Sequence, residues 1–235
     1  MKKRKIIVIT IIIFFLIITT IFIYLNSSYK AINVDKYLKS NNQVKVIKEN
    51  NTYIFDGVGE DTALIFYQGG KVENISYAPL LYNLASNGID CYLVKMPFNL
   101  AIFNKDSAND ILNKYKNDYN NWYIGGHSLG GVVASLYDNE LITGYIFLAA
   151  YPNKEINKPM LLIRGDKDGV LKLDGYNDSK KYWSNSSKKI IIEGGNHANF
   201  GNYGKQKKDN KSTISRNKQQ EITTKEIISF IKDNN

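Results

Sequence analysis

The chain has 235 residues, 43% of them hydrophobic and 23% charged, which fits one globular domain plus a small addition and excludes a disordered or collagen-like chain. Its single cysteine, Cys91, excludes an internal disulfide and a cysteine-based zinc or iron-sulfur cluster, and its two histidines, His127 and His197, leave two candidates for any imidazole chemistry. The net charge of +9 sits at Lys2, Lys3, Arg4 and Lys5 and in the stretch from Lys205 to Lys218, where six cations face only Asp209; the rest is neutral, which argues against a nucleic-acid partner.

After a basic tail at residues 1–5, residues 6–25 form an apolar run interrupted only by Thr10, Thr19 and Thr20. At about 1.5 Å per residue such a helix spans about 30 Å, the thickness of a bilayer core. A cleaved signal peptide has an apolar region of about 7–15 residues ending in small residues. Here Asn26-Ser27-Ser28-Tyr29-Lys30 follows, so an uncleaved single-pass anchor is the preferred reading. The positive-inside rule places the N-terminus in the cytoplasm and the remainder outside the cell membrane. Residues 26–42 are polar and read as a short tether to a domain over residues 43–235.

Within that domain short apolar runs at 44–47, 52–55, 63–67, 91–96, 122–125, 142–149, 160–163 and 189–192 read as strands. Several are continuously apolar, as strands covered on both faces must be. Helical periodicity separates them: Tyr77, Leu80, Leu81, Leu84 and Ala85, with Ser76 as the expected cap and Gly88 as the stop; Ala108, Ile111, Leu112 and Tyr115; Leu129, Val132, Val133, Leu136 and Tyr137. A last helix is expected to open at Thr223 and Glu226, a capping-box spacing, and to bury Ile227, Phe230 and Ile231. This alternation predicts a doubly wound, mostly parallel α/β sheet entered by a hairpin. One connection is short: residues 151–159 leave little room for the dozen or more residues a parallel crossover usually needs.

Gly126-His127-Ser128-Leu129-Gly130 is a G-x-S-x-G sequence between an apolar strand and an amphipathic helix. That context makes Ser128 a candidate nucleophile on a sharp turn, with the Leu129 amide at a helix start able to face an oxyanion. A serine hydroxyl needs a base. His127 adjoins Ser128, where neighbouring side chains diverge, so His197, in the strand-end loop Gly194-Gly195-Asn196-His197, is the expected base. A carboxylate must orient the imidazole. Asp166 and Asp168 both follow the strand at 160–163, and Asp168 is preferred; a calcium-loop reading fails for want of further ligands and a closing Glu.

The chain from about residue 52 onward resembles the small, dienelactone-hydrolase-like (fold-5) group of α/β-hydrolases. The likeness lies in Phe66-Tyr67-Gln68-Gly69-Gly70-Lys71-Val72-Glu73, in Val94-Lys95-Met96-Pro97-Phe98-Asn99-Leu100, and in the segment from Gly194 to Gly204. The resemblance implies an α/β-hydrolase fold, a Ser128, Asp168 and His197 triad, and a second oxyanion amide from Gly70 or Lys71. Two departures stand out: Gln68 occupies a position expected to be proline, and the segment after His197 is lysine-rich. Lys71, Glu73 and Lys95 sit at strand ends, suited either to an anionic substrate group or to a solvated salt-bridge cluster.

The expectation is therefore a membrane-anchored serine hydrolase, foremost a carboxylic-ester hydrolase, without cofactor or metal. An acyltransferase or thioesterase would use the same residues, and a non-catalytic binding module on the same fold is the alternative of another class. The Asn-, Lys- and Ile-rich composition points to an AT-rich bacterial genome. The cations of 205–218 suit either a solvated loop or contact with anionic lipid or wall polymer.

Overall fold

A computed structural model describes residues 2–59 and 61–235. An N-terminal helix, α1 (Lys2–Asn26), has no buried residue. Thr10, Thr19 and Thr20 donate their hydroxyls to the carbonyls of Ile6, Phe15 and Leu16, so the helix satisfies its own polar groups, as an apolar surrounding requires. It is long and apolar enough to cross a membrane.

Eight strands follow: β1 (Lys45–Glu49), β2 (Thr52–Asp56), β3 (Thr62–Tyr67), β4 (Asp90–Val94), β5 (Asn121–His127), β6 (Ile142–Leu148), β7 (Met160–Gly165) and β8 (Ser187–Ile192). They form one sheet in the order β1-β2-β4-β3-β5-β6-β7-β8. β1 and β2 are an antiparallel hairpin and β2 is antiparallel to β4, while all later neighbours are parallel. Every apolar run expected as a strand is one.

Alternate residues divide between two cores, as a strand's period of two dictates. Leu64, Phe66, Leu93, Ile146 and Leu161 pack with α2 (Ala78–Ala85) and α6 (Arg216–Lys232) on one face. Ala63, Ile65, Tyr92, Phe147 and Leu162 pack on the other with α3 (Ala108–Tyr115), α4 (Leu129–Ala134) and α5 (Leu173–Asp178). β4 and β5 leave β3 on opposite sides, which makes the carboxyl ends of β3 and β5 the switch point of the topology, the place where ligands bind in such sheets.

Three details differ from the sequence reading. Ser76 does not cap α2: its hydroxyl is buried without a hydrogen-bond partner, and Tyr77 holds the cap position after a 3-10 turn, Asn74–Tyr77. α6 starts two turns earlier than expected, with Ser215 Oγ accepting the Lys218 amide, while Thr223 donates to the Gln219 carbonyl inside the helix. The connection 149–159 joins parallel β6 and β7 without any helix.

Residues 26–42, expected as a short tether, are instead docked on the domain from Tyr29 onward. Tyr29 bridges Val72 in parallel, the Ile32 amide donates to the Asn202 carbonyl at 2.8 Å, and Val34 and Val44 are buried. Lys30 Nζ and the Ala31 amide both reach the carboxylate of Glu73, at 2.8 and 2.9 Å. The segment is polar by composition because it binds through its backbone and a few long side chains.

Candidate active site

Ser128 stands between β5 and α4 at φ +52°, ψ −125°, a conformation that a residue with a Cβ adopts only when its surroundings impose it. The flanking glycines show what imposes it. A Cβ on Gly126 would lie 2.5 Å from the Tyr67 carbonyl oxygen, and one on Gly130 would lie 2.2 Å from that of Gln68. The helix start is thus pressed against the end of β3, and the Ser128 amide is held by the Leu148 carbonyl at 2.9 Å.

His197 follows the β8 turn and its side chain is almost fully buried. Its Nδ1 lies 2.9 Å from Oδ2 and 3.1 Å from Oδ1 of Asp168. Asp168 Oδ1 also accepts the amides of Val170 and Leu171 at 2.9 and 2.8 Å. Burial works against its charge, but the His197 contact and the two amides outweigh it and hold the carboxyl below the ordinary aspartate range. Asp166 does a different job: it accepts the Gly194 amide at 2.7 Å and pairs with Lys167. Nε2 of His197 is buried and finds no hydrogen-bond partner among the described residues.

His127 is fully buried and links the two halves of the site. Its Nδ1 is 2.8 Å from the Tyr77 hydroxyl and its Nε2 is 3.1 Å from the His197 carbonyl oxygen. Tyr77 Oη in turn accepts the Gly69 amide at 3.0 Å. Burial, with His197 alongside, pushes the His127 pKa well below the usual imidazole range. The turn after β3 is therefore wired to the loop that carries His197.

In that turn the Gly69 amide is engaged by Tyr77 and the Lys71 amide by the Asn99 carbonyl at 2.7 Å. Gly70 lies between them, packed so closely on Leu129 that an added Cβ would meet its side chain at 3.0 Å. Gln68 explains its own departure from proline: it is fully buried, donates to the Val72 carbonyl and Asn99 Oδ1 at 2.7 and 2.9 Å, and accepts the Met96 amide at 3.1 Å. Proline offers no such side chain.

Of Lys71, Glu73 and Lys95, the structure keeps Glu73 and Lys95 together, lining one pocket where the lysine charge helps hold the Glu73 carboxyl low, and turns Lys71 away. Glu73 is engaged by Lys30 and Ala31, and Lys71 Nζ reaches the carbonyls of Tyr24 and Leu25 at 2.6 and 2.8 Å, at the end of α1. Lys95 contributes its backbone amide to the Asn51 carbonyl at 2.7 Å.

One residue's role escaped the sequence reading. Asp209, the lone acid among the cations of 205–218, accepts the amides of Ala198 at 2.9 Å, Gly169 at 3.1 Å and His197 at 3.3 Å. It ties the loop of Asp168 to the loop of His197. An isolated acid in a basic stretch was the available signal.

A sequence model described as the alpha/beta hydrolase family matches residues 63–221. No curated protein matches the sequence. Among solved structures, a predicted CIB-like hydrolase from Thermoplasma acidophilum is 18% identical, with a TM-score of 0.55 over 79% of this chain and 97% of that one. Carboxyl esterase 2 from the mycorrhizal fungus Tuber melanosporum is 11% identical, with a TM-score of 0.59 over 88% and 91%. An evolved variant of potato epoxide hydrolase StEH1 is 12% identical, with a TM-score of 0.59 over 83% and 100%. At these identities the likeness is one of fold, and it extends to an esterase and an epoxide hydrolase alike.

Proposed function

Since the chain belongs to the alpha/beta hydrolase family, we propose that it is a serine hydrolase of carboxylic esters, held in a membrane by α1 with its domain outside the cytoplasm. The observation that carries this reading is the buried His197 and Asp168 pair, its Nε2 unpaired, on a loop bonded to the residue that precedes the strained Ser128. A nucleophile-base hydrogen bond often tightens only with substrate in place.

In this mechanism Ser128 Oγ attacks the acyl carbon while His197 Nε2 takes its proton. Asp168 holds Nδ1-H and favours the imidazolium that forms. The tetrahedral oxyanion is met by the amides of Leu129 and Gly70, the Lys71 amide being engaged elsewhere. Collapse breaks the acyl-oxygen bond, and His197 returns the proton to the departing alkoxide. Water then adds its hydroxyl to the acyl carbon, His197 carries its proton to Ser128, and the acid leaves. No step calls on a cofactor or metal.

The connection 149–159 is too short to hold a lid, so short soluble esters should be accepted without activation by an interface. The test is labelling of the full chain by a fluorophosphonate together with turnover of a p-nitrophenyl ester series. Both should vanish in Ser128→Ala and His197→Ala. Labelling that survives in Ser128→Ala sinks the assignment, and failure of the native chain to label or turn over any ester favours the binding-module reading.

A further inference from the structure

The end of α1 lies at the rim of the candidate site. The twenty-residue run 6–25, apolar but for three threonines, matches the bilayer core at about 1.5 Å per residue, which sets the Leu25 carbonyl at the boundary between acyl chains and headgroups. Lys71 Nζ bonds that carbonyl and the one before it, and also lies over the Tyr24 ring at 5.0 Å. Lys71 is the next residue after Gly70, so the turn that would hold the oxyanion is fastened to the exit of the helix.

The same turn is bonded to an exposed apolar cluster. The Lys71 amide donates to the carbonyl of Asn99, and Gly70 and Leu100 are near neighbours. Beside Asn99 stands Phe98, 44% exposed at φ +53°, packed edge to face on Phe103, itself 52% exposed, with Ile102 55% exposed next to it. An aromatic residue in the left-handed region is uncommon and needs its surroundings to hold it there. On the other flank the Lys207 amide donates to the Tyr29 hydroxyl at 3.1 Å, which brings exposed Lys207 and Lys208 to the same helix exit. A face carrying exposed phenylalanines, isoleucine and lysines, continuous with the end of a lipid-length helix, has the composition of a surface seated in the headgroup layer.

We infer that this face rests on the bilayer and that the ester taken by Ser128 is an acyl ester of a membrane lipid, drawn from the leaflet where α1 ends. The inference rests on the serine-hydrolase reading. Leu100 and Leu129, both packed beside Gly70, supply the apolar contact for the acyl chain between that face and the Ser128 turn. Hydrolysis breaks the acyl-oxygen bond, water giving its hydroxyl to the fatty acid and its proton to the lipid alcohol.

The test uses the full chain in nanodiscs of phosphatidylcholine with phosphatidylglycerol, offered a fluorogenic diacyl phospholipid in the disc and p-nitrophenyl butyrate in solution. The double variant Ile102→Asp/Phe103→Asp should lose at least tenfold in phospholipid turnover while butyrate turnover stays within twofold. Independently of activity, fluorescence of Phe103→Trp should be quenched by lipids brominated in the acyl chain beyond any quenching seen with the native Trp122 and Trp183 alone. Unquenched Trp at 103, or phospholipid turnover unchanged in the double variant, overturns the inference and leaves the ester-hydrolase reading standing. Quenching with neither ester hydrolysed overturns the hydrolase reading, and with it the lipid substrate.

Discussion

His127 lies directly against His197: its Nε2 is 3.1 Å from the His197 carbonyl oxygen and the two ring centroids are 4.6 Å apart. Because a carbonyl only accepts, Nε2 must donate, which leaves Nδ1 to accept from the Tyr77 hydroxyl while that oxygen accepts the Gly69 amide. The three bonds run consistently only with His127 neutral, the state its burial already enforces. Its pKa is depressed on folding, so its contribution is complete above the ordinary imidazole value of 6.5 and is lost as pH falls below it, where the unfolded chain takes up a proton first. Urea denaturation between pH 5 and 8 should show stability falling below about pH 6.5 in the native chain and a flatter profile in His127→Gln. Equal slopes would remove His127 from this account. His127→Ala, which strands the Tyr77 hydroxyl and a buried carbonyl, should cost about 2–6 kcal/mol, on the basis of about 1–3 kcal/mol for each buried group left unpaired.

The two aspartates after β7 divide the work, and substitution should separate them. Asp168→Asn keeps the shape but loses the charge beside His197 Nδ1, and should lower kcat by about four orders of magnitude, as in triads generally. Asp166→Asn only weakens the brace on the Gly194 amide, and should leave kcat within about threefold while costing about 1 kcal/mol in urea denaturation. The reverse ranking would reassign the carboxylate.

Asp209 touches no reacting atom yet binds both catalytic loops. Removing it in Asp209→Ala should loosen the His197 and Asp168 geometry, and misplacement on the order of 1 Å costs up to about 100-fold in rate. The effect should fall on kcat rather than KM, with Asp209→Asn restoring part of it through its remaining carbonyl oxygen. An Asp209→Ala protein of native activity would show that the amides it holds need no holding.

The strands and the G-x-S-x-G turn were legible because each is written in adjacent residues: β3 is apolar at five of its six positions, from Ala63 to Tyr67, and the glycines around Ser128 answer contacts that only glycine allows. What was misread depends on partners distant in sequence. The first turns of α6 bury Gln219, Gln220 and Thr223, so no apolar stripe announced them, and the capping-box spacing at Thr223 pointed two turns too late. Residues 26–42 look like solvated linker because their docking runs through backbone bonds to Asn202, Lys71 and Glu73 and through the Glu73 carboxylate. Asp209 looks like a diluted charge until three amides are seen around it.

The last prediction concerns the cations of 205–218. Lys205, Lys207, Lys208 and Lys211 are exposed, whereas Arg216 is half-buried and its pKa is lowered by desolvation, so the free charge is concentrated before α6. We propose that these lysines attract anionic lipid, each contributing about 1 kcal/mol near a charged surface and screened within about 8–10 Å at physiological ionic strength. Residues 27–235, free of the helix, should bind phosphatidylglycerol vesicles more tightly than phosphatidylcholine vesicles, and less so as salt rises. Lys205→Gln/Lys207→Gln/Lys208→Gln should bring the two affinities together without altering p-nitrophenyl butyrate turnover, since none of the three touches Ser128, Asp168 or His197. Equal binding to both lipids by the native fragment, or binding that salt does not weaken, would leave these lysines as an ordinary solvated loop. Preference for a soluble anionic wall polymer over vesicles of the same charge would instead move the partner from the bilayer to the wall.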